Sequence, residues 1–295
     1  MHYNGPIVRP YTDADSLIIE VTVGCTHNKC IFCNFYKGID FQIATIEQIE
    51  MDLKEASRLV PRDIKNVWAS GGNPYALSVE KLTTIAKLIR KYFPQAIISM
   101  YARVDDLCRK TVEDMMHLKD LGIADIVVGI ENGYDPALSY VNKGYRSADI
   151  LEGCKRLEKA GVDYRIIYLG GLSGAGKGDL AAVASAKLLN RLHPYYMFMT
   201  TVAILPGTEI HVSAQNGEFE EATELERIKE FRMLIGELRN DMIIDSRSVA
   251  NMVPFVAQIP RDKEKILHLL DKMIQDFSDK DEEAMHGRRS ELLSV

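Results

Sequence analysis

The sequence predicts an α/β fold with a parallel sheet, and three observations lead to that prediction. Stretches typical of strands alternate with stretches typical of helices along most of the chain, which is the pattern of βαβ units. The 295 residues, 46% hydrophobic and 26% charged, suffice for one domain of barrel size. A cysteine-rich loop directly follows the first predicted strand. Six strand–helix units are predicted, fewer than the eight of a closed (β/α)8 barrel.

The first predicted helix, at residues 46–59, shows how the elements are assigned. Apolar residues recur there at helical spacing on one face. Thr45 precedes the helix as a candidate N-cap, with Gln48 as its capping-box partner. Strands are predicted at residues 16–23, 66–70, 96–102, 125–130, 163–171 and 195–205, and the other helices at residues 79–92, 110–121, 147–160, 179–192, 223–240 and 262–277.

We expect three regions: an irregular arm at residues 1–15, a barrel at residues 16–245 and a short helical extension at residues 246–295. The polar tail from Asp279 is expected to be mobile. No apolar run approaches about 20 residues, which predicts that nothing spans a membrane. A net charge of −6 and a pI near 5.7 give no support for nucleic-acid binding by bulk charge. No signal peptide is recognisable, which predicts a cytoplasmic protein in a reducing compartment.

The loop from Gly24 to Gly38 holds three of the five cysteines, Cys25, Cys30 and Cys33. Thiolate sulfur suits iron–sulfur clusters and zinc. Three thiolates leave one of four coordination positions open, which by analogy with catalytic zinc is how metal sites are built for chemistry. A structural zinc site with a nearby histidine as fourth ligand stays open as an alternative. The candidate histidine ligand is His27. The two remaining cysteines, Cys108 and Cys154, stand singly in helical patterns and are expected to be ordinary buried thiols.

This loop resembles the signature of the radical S-adenosylmethionine (SAM) enzymes, C-x3-C-x2-C after the first barrel strand with an aromatic residue before the last cysteine. Phe32 precedes Cys33 here, and the C-x2-C half matches. The first spacing departs, because Cys25 and Cys30 are separated by four residues. The resemblance implies a partial (β/α)6 TIM-like barrel, open on one side. It also implies a 4Fe–4S cluster on the three cysteines, where reduction cleaves SAM to methionine and a 5′-deoxyadenosyl radical.

In such barrels the chemistry lies at the carboxyl ends of the strands. The turn Gly71, Gly72, Asn73 after the second strand resembles the family's GGEP motif, which binds the SAM amino group, although Asn73 stands where Glu is common. Glu131 lies in a segment similar to GIESG of the coproporphyrinogen-oxidase and elongator-type branch, which implies a contact to the ribose. Lys143 falls where the family often carries an Arg that pairs with the SAM carboxylate. Lysine keeps the charge but loses the bidentate fork.

Two later segments are compared in the same way. Leu205 and Pro206 belong to a stretch similar to the family's L-x-P-G-T turn, which passes beside the adenine. Gly171 to Lys177 reads as G-x4-G-K, most of a phosphate loop. Position 178 is Gly rather than Ser or Thr, so the residue that would bind Mg²⁺ is missing and nucleotide hydrolysis is disfavoured.

Four polar residues near strand ends are candidate substrate contacts: Tyr101, Arg103, Arg165 and Tyr168. Strict alternation cannot direct both Arg165 and Tyr168 to the barrel interior, because they are three residues apart. We expect an oxygen-sensitive enzyme, an oxidoreductase or a transferase, that abstracts hydrogen from a small molecule and takes electrons from a flavodoxin- or ferredoxin-like donor. A non-catalytic zinc scaffold and an enzyme acting on a protein or peptide partner are the alternatives. The porphyrin and tRNA activities of relatives are not carried over, since fold does not fix function.

Overall fold

The computed structural model of this protein describes residues 1–251 and 253–293. The predicted fold class is confirmed, because the fold is α/β and contains a mostly parallel eight-stranded sheet. Across these residues, no helix combines the length and apolar character that a membrane span requires. The chain divides into two compact units, with boundaries at both ends of residues 29–34 in the cysteine-rich loop and inside β6, α6 and β7, whose ranges are given below. In chain order the strands and helices as far as β6 are β1 Leu17–Glu20, β2 Thr22–Val23, β3 Gln42–Ile43, α1 Ile46–Leu59, β4 Asn66–Ser70, α2 Val79–Tyr92, β5 Ile97–Ala102, α3 Val104–Cys108, α4 Val112–Asp120 and β6 Ile123–Glu131.

The first unit comprises Met1–Asn28, Phe35–Gly129 and Glu152–Tyr164. Its strands β1, β4, β5 and β6 pair in that order, and every pair is parallel. Strands β2 and β3 form a separate antiparallel pair on either side of the cysteine-rich loop in sequence. The carboxyl ends of β1 and β4 therefore lie side by side and bring the segments that follow them together.

The second unit comprises Lys29–Asn34, Ile130–Leu151 and the described residues from Arg165 onward. The elements after β6 are α5 Asp135–Tyr140, α6 Ser147–Ala160, β7 Asp163–Gly170, α7 Gly178–Leu189, β8 Tyr196–Thr201, α8 Glu209–Gln215, α9 Glu224–Glu237, β9 Met242–Asp245, β10 Val256–Ile259, α10 Lys263–Asp276 and α11 Asp279–Ser290. In this unit β7, β8 and β9 are parallel neighbours, and β10 runs antiparallel to β9.

The long amphipathic helices agree best with the sequence. Helices α1, α2 and α6 have the predicted bounds. Thr45 caps α1, since its hydroxyl accepts the Gln48 N–H at 3.1 Å. The Gln48 side chain does not complete a capping box and instead contacts His2 and Asp52.

Strands β9 and β10 were not predicted. The helix predicted to reach residue 240 ends at Glu237, and β9 begins at Met242. Both strands have only four residues. Such short strands gain their stability from pairing with neighbouring strands, and local propensity gives little sign of them.

The polar tail from Asp279 forms helix α11, which was not predicted, and its expected mobility stays a prediction. Its first turn carries a capping box in which Ser278 N–H donates to Asp281 at 2.9 Å. Near its end, Arg289 is buried and makes two hydrogen bonds of 2.6 Å to the Glu224 carboxylate. The cap and the buried ion pair stabilise this helix.

Candidate functional site

The three cysteines of the loop are all half-buried, with Cys25 in the first unit and Cys30 and Cys33 in the second. Cys33 N–H donates to the Cys30 carbonyl at 3.2 Å, so the C-x2-C half is a tight turn. In residues 1–251 and 253–293, no three His, Cys, Asp or Glu side chains are already gathered as metal ligands.

The turn after β4 packs against the start of this loop within the first unit. Gly72 N–H donates to the Gly24 carbonyl at 3.0 Å. A Cβ atom at Gly72 would lie 2.5 Å from the Gly24 oxygen and 2.9 Å from Cys25 Cβ, and one at Gly71 would lie 1.9 Å from Thr22 Oγ1. Both glycines are therefore required for the turn to approach the cysteine loop this closely.

Asn73 is fully buried and joins three segments of the first unit. Its Oδ1 accepts the Thr26 N–H at 3.0 Å, next to Cys25. Its Nδ2 donates to Thr26 Oγ1 at 2.7 Å and to Asp106 Oδ2 at 2.8 Å. The side chain is thus used within the protein, and the backbone of the turn is what remains for a ligand.

In the second unit, Glu131 and Lys143 form a buried ion pair with a 2.6 Å separation between Nζ and Oε1. The ammonium group lies 5.7 Å from the ring centroid of Phe32 and 5.6 Å from that of Tyr145. Glu131 has φ of +59°, a left-handed conformation that is uncommon for residues other than glycine. Strained backbone of this kind clusters at functional sites. The structure thus brings together Phe32, Glu131 and Lys143, which the sequence analysis singled out separately.

Phe32 also packs against an apolar cluster of the second unit. Its members are Val141, Leu169, Leu172 and Val202, with Ile31 and Ile204 at the edge. Backbone bonds hold this part of the loop, since Ile31 N–H donates to Val141 O at 3.2 Å and Ile31 O accepts the Ile210 N–H at 3.0 Å. The cluster keeps water from one side of the aromatic ring beside Cys33.

Leu205 and Pro206 follow Ile204 in a short turn. Leu205 is buried, and its carbonyl accepts from Thr208 Oγ1 at 2.6 Å. Pro206 is exposed. Thr208 caps α8, so the turn has a fixed path into that helix.

The candidate substrate residues of β7 lie on opposite faces of the strand, as alternation requires. Arg165 lies 5.8 Å from the Phe198 ring and is buried. Tyr168 is completely buried on the side of α9, where its hydroxyl donates to Glu230 at 2.5 Å. Burial, reinforced by the Glu230 charge, raises the pKa of Tyr168 well above its usual value. Tyr168 therefore packs against α9, and this position does not favour a contact with substrate.

The two candidates at the carboxyl end of β5 differ in accessibility. Tyr101 is half-buried and packs edge-on against Trp68, with ring centroids 4.9 Å apart. Arg103 is buried, and its guanidinium pairs with Asp105 at 2.9 Å. The role of either side chain as a substrate contact stays a prediction.

The G-x4-G-K segment is already filled by carboxylates of α9. Gly171 N–H donates to Glu230 and Gly176 N–H donates to Glu226, each at 2.8 Å. Burial raises the pKa of Glu230 to about 7, although the Tyr168 and Gly171 hydrogen bonds oppose that shift. Two amides that a bound phosphate would use are thus occupied by carboxylates of the chain itself, and the expectation against nucleotide hydrolysis stays a prediction.

Two buried charged residues of the first unit, near the Gly71–Asn73 turn, were not singled out by the sequence analysis. Asp106 is fully buried, and its Oδ2 accepts both the Asn73 amide and the Arg103 N–H. Lys110 is buried, with Nζ donating to the Tyr75 carbonyl at 2.6 Å. The signal for α3 was weak: acidic residues in a first turn favour a helix start, but Arg103 in the N-cap position does not.

Three comparisons with known proteins are informative. A family model described as the radical SAM superfamily matches residues 19–182. An uncharacterized protein of Methanocaldococcus jannaschii is 23% identical over 212 residues, covering 68% of this chain and 65% of that protein. The heme chaperone HemW of Bacillus subtilis is 25% identical over 149 residues, covering 47% of this chain and 38% of HemW.

Among solved structures, coproporphyrinogen III oxidase (HemN) of Escherichia coli, described as a radical SAM enzyme, has a TM-score of 0.55 and 18% identity. The alignment covers 75% of this chain and 51% of that enzyme. The likeness confirms the predicted fold. The matched regions span less than two thirds of each of these three proteins, so it does not extend to their whole activities.

Proposed function

This chain belongs to the radical SAM superfamily, whose enzymes use a 4Fe–4S cluster and SAM, and on that premise we propose that it abstracts a hydrogen atom from a small-molecule substrate. The family model covers more than half of the 295 residues. What belongs to the proposal is the substrate class and the role of each residue.

The chemistry of the available groups fits both cofactors. Cys25, Cys30 and Cys33 supply three soft sulfur ligands, which suits an iron–sulfur cluster with one iron open to SAM. Beside Gly71, the buried Thr22 Oγ1 has no hydrogen-bond partner in the described residues. Such an orphaned acceptor suits the amino group of a ligand.

We assign the methionine part of SAM to two places. The backbone of Gly71, Gly72 and Asn73 binds the amino group, because the Asn73 side chain is already used by Thr26 and Asp106. Lys143 pairs with the carboxylate, which is a charge-assisted contact. Leu205 and Pro206 lie along the adenine.

Glu131 binds the ribose hydroxyls, since a carboxylate accepts from two hydroxyls at once. The observation that carries the proposal is the buried Lys143–Glu131 pair over Phe32, the residue before Cys33. When a ligand with a carboxylate and hydroxyl groups binds, Lys143 can turn from Glu131 to the carboxylate and Glu131 can turn from Lys143 to the hydroxyls. The strained backbone at Glu131 fits such a functional role.

When bound, the reduced cluster and SAM supply a 5′-deoxyadenosyl radical that removes hydrogen from the substrate. The chain's own residues orient and shield: Phe32 and its apolar neighbours exclude water, and Lys143 and Glu131 fix the two ends of the ligand. Tyr101, Arg103 and Arg165 remain candidate substrate contacts. We also propose a cytoplasmic location and an external flavodoxin- or ferredoxin-like electron donor, because thiolate ligands require a reducing, low-oxygen setting.

The test is anaerobic reconstitution followed by assays of iron, sulfide and zinc, and then of 5′-deoxyadenosine after SAM and a reductant are added. We expect about four irons and slow 5′-deoxyadenosine release. Cys30→Ala should lose the cluster, whereas Cys108→Ala, which removes a half-buried thiol outside the loop, should keep it. One zinc with no SAM cleavage would overturn the proposal. Cleavage only in the presence of a protein or peptide would contradict the small-molecule class.

A further inference from the structure

A buried carboxylate lies behind the turn that faces the cysteine loop. Asp106 is completely buried, and its Oδ2 accepts two hydrogen bonds, from Asn73 Nδ2 at 2.8 Å and from Arg103 N–H at 2.9 Å. Burial raises the pKa of Asp106, against the effect of both bonds. Its Oδ1 has no hydrogen-bond partner among the described residues, and Arg109 Nη1 lies 3.9 Å away. Burying a carboxylate this deeply costs free energy, which hydrogen bonds or an opposite charge must offset.

Through Asn73 the carboxylate reaches the cysteine loop. The Asn73 amide that donates to Asp106 belongs to the side chain whose Oδ1 accepts the Thr26 N–H at 3.0 Å. Thr26 directly follows Cys25. The same Nδ2 also donates to Thr26 Oγ1 at 2.7 Å. The bond to Asp106 fixes Oδ1 as the atom that accepts the Thr26 N–H, because only the nitrogen of the amide can donate to a carboxylate. Asp106 thereby sets the orientation of the group that holds the loop at Cys25.

A second contact holds the other end of the turn. Lys110 is buried, and its Nζ donates to the Tyr75 carbonyl at 2.6 Å and lies 4.6 Å from the Tyr75 ring centroid. Residues Pro74–Ala76 form a 3-10 turn that continues directly from Asn73. Asp106 and Lys110, four residues apart, therefore contact residues 73 and 75 from one side.

We infer that Asp106 and Lys110 are positioning residues that hold the Gly71–Asn73 turn in register with Cys25, so that the cluster ligand and the SAM-binding backbone keep a fixed spacing. The inference deepens the proposed function and rests on it only for what the turn binds. The clamp, defined as Asp106, Asn73, Thr26 and Lys110 with Tyr75, is a set of contacts that exists without any cofactor. Its existence and its purpose are therefore tested separately.

The first test is hydrogen exchange at the Thr26 amide in the metal-free protein. Asn73→Asp keeps an oxygen for Thr26 N–H but replaces the donor to Asp106 with a second carboxylate, so the orientation is lost. We expect exchange at Thr26 to be at least about tenfold faster, as for loss of a hydrogen bond to a charged group. Asp106→Ala should act in the same direction. Asp106→Asn, which retains an acceptor oxygen, should restore slow exchange.

Asp114→Ala is the matched control. Asp114 accepts the Thr111 N–H at 2.9 Å at the start of α4, the same bond that Asp106 makes to Arg103 at the start of α3. It lacks the bond to Asn73. If Asn73→Asp and Asp106→Ala leave Thr26 exchange within about threefold of Asp114→Ala, the clamp is not what holds the loop and the inference is overturned.

The Lys110 contact is tested at a different amide, which also serves if Asp106→Ala does not fold. Lys110→Met should speed exchange of the Gly72 N–H, which donates to Gly24. We expect about a threefold to tenfold effect, because the lost bond is to a backbone carbonyl. Unchanged Gly72 exchange would remove Lys110 from the clamp.

The purpose of the clamp is read from the reconstituted protein by iron content and by the change in the electron paramagnetic resonance signal of the reduced cluster when SAM is added. We expect Asn73→Asp to diminish the SAM-induced change relative to Asp114→Ala. The single variant Asp106→Asn, which keeps an acceptor oxygen for Asn73, should retain the change. Faster exchange with an unaltered SAM-induced change would overturn the positioning role and leave the proposed function intact. Failure of the unaltered protein to bind iron would instead refute the proposed function, while the exchange data would still decide whether the clamp exists.

Discussion

Replacing Lys143 with methionine tests whether the pair at the centre of the candidate site is a true buried ion pair. The side chains of Lys143 and Glu131 are only 7% and 9% exposed. Removing one partner of a buried pair costs about 3–5 kcal/mol, because the other charge is left without it. Loss of the ammonium over the Phe32 and Tyr145 rings adds about 0.5 kcal/mol each, which a methionine sulfur partly replaces. We expect a loss of about 3–4 kcal/mol in the free energy of unfolding.

The assay is chemical denaturation of the cofactor-free protein, with the melting temperature as a second measure. At about 2–4 °C per kcal/mol, the value for domains of 150–250 residues, a loss of this size corresponds to a fall of about 6–16 °C in the melting temperature. Lys155→Met is the control, because Lys155 lies 2.6 Å from Glu158, the same separation, but is 38% exposed. It should change stability by less than about 1 kcal/mol. Adding Glu131→Gln to Lys143→Met should recover at least about 1.5 kcal/mol. An effect of Lys143→Met as small as that of Lys155→Met, or no recovery in the double variant, would refute the reasoning.

Two further predictions concern buried charges of the second unit. The Glu230 carboxyl has its pKa raised from 4.5 to about 7 by burial, so the folded state binds its proton more tightly than the unfolded state does. The stability that this provides is complete below pH 4.5 and is lost as the pH rises through 7. We therefore expect the unfolding free energies of the natural protein and of Glu230→Gln, measured from pH 4.5 to 8, to diverge by about 3 kcal/mol in favour of the variant. Parallel pH profiles for the two proteins would contradict a buried Glu230 with a raised pKa. Arg289→Met should detach α11, because Glu224 loses its bidentate partner, and should lower the free energy of unfolding by about 3 kcal/mol. Limited proteolysis should then cleave the variant within residues 279–290. Arg288→Met, an exposed neighbour, should leave the helix resistant, and equal cleavage of both variants would exclude a specific role for Arg289.

The elements that could be predicted are those whose signal is local. Helix α1 has both an apolar face and a capping threonine, so its bounds follow from the sequence. Strands β9 and β10 depend on pairing with strands distant in sequence, and α3 lacks a conventional N-cap. Helix α11 was not predicted within the polar tail, because its buried residue Arg289 pairs with a partner 65 positions away.

The candidate site was predictable to a similar degree. The cysteines, Glu131 and Lys143 were found by motif, each alone. That Glu131 and Lys143 pair with each other is a tertiary fact, since twelve positions separate them and helix α5 lies between them. Asn73 was expected to act on a ligand, and its side chain turns out to join Thr26 and Asp106. Only the fold reveals that an amide near a ligand site is already committed.

The glycine-rich segment after β7 has a consequence for how its motif is understood. Its Gly171 and Gly176 N–H groups donate to the Glu230 and Glu226 carboxylates, which occupy the positions that phosphate oxygens would take. An external anion would have to displace two resident carboxylates that are covalently tethered to α9 and therefore present at high effective concentration. The segment is in this sense a self-liganded nest, in which the charge that a nucleotide would bring elsewhere serves to fasten a strand end to a helix.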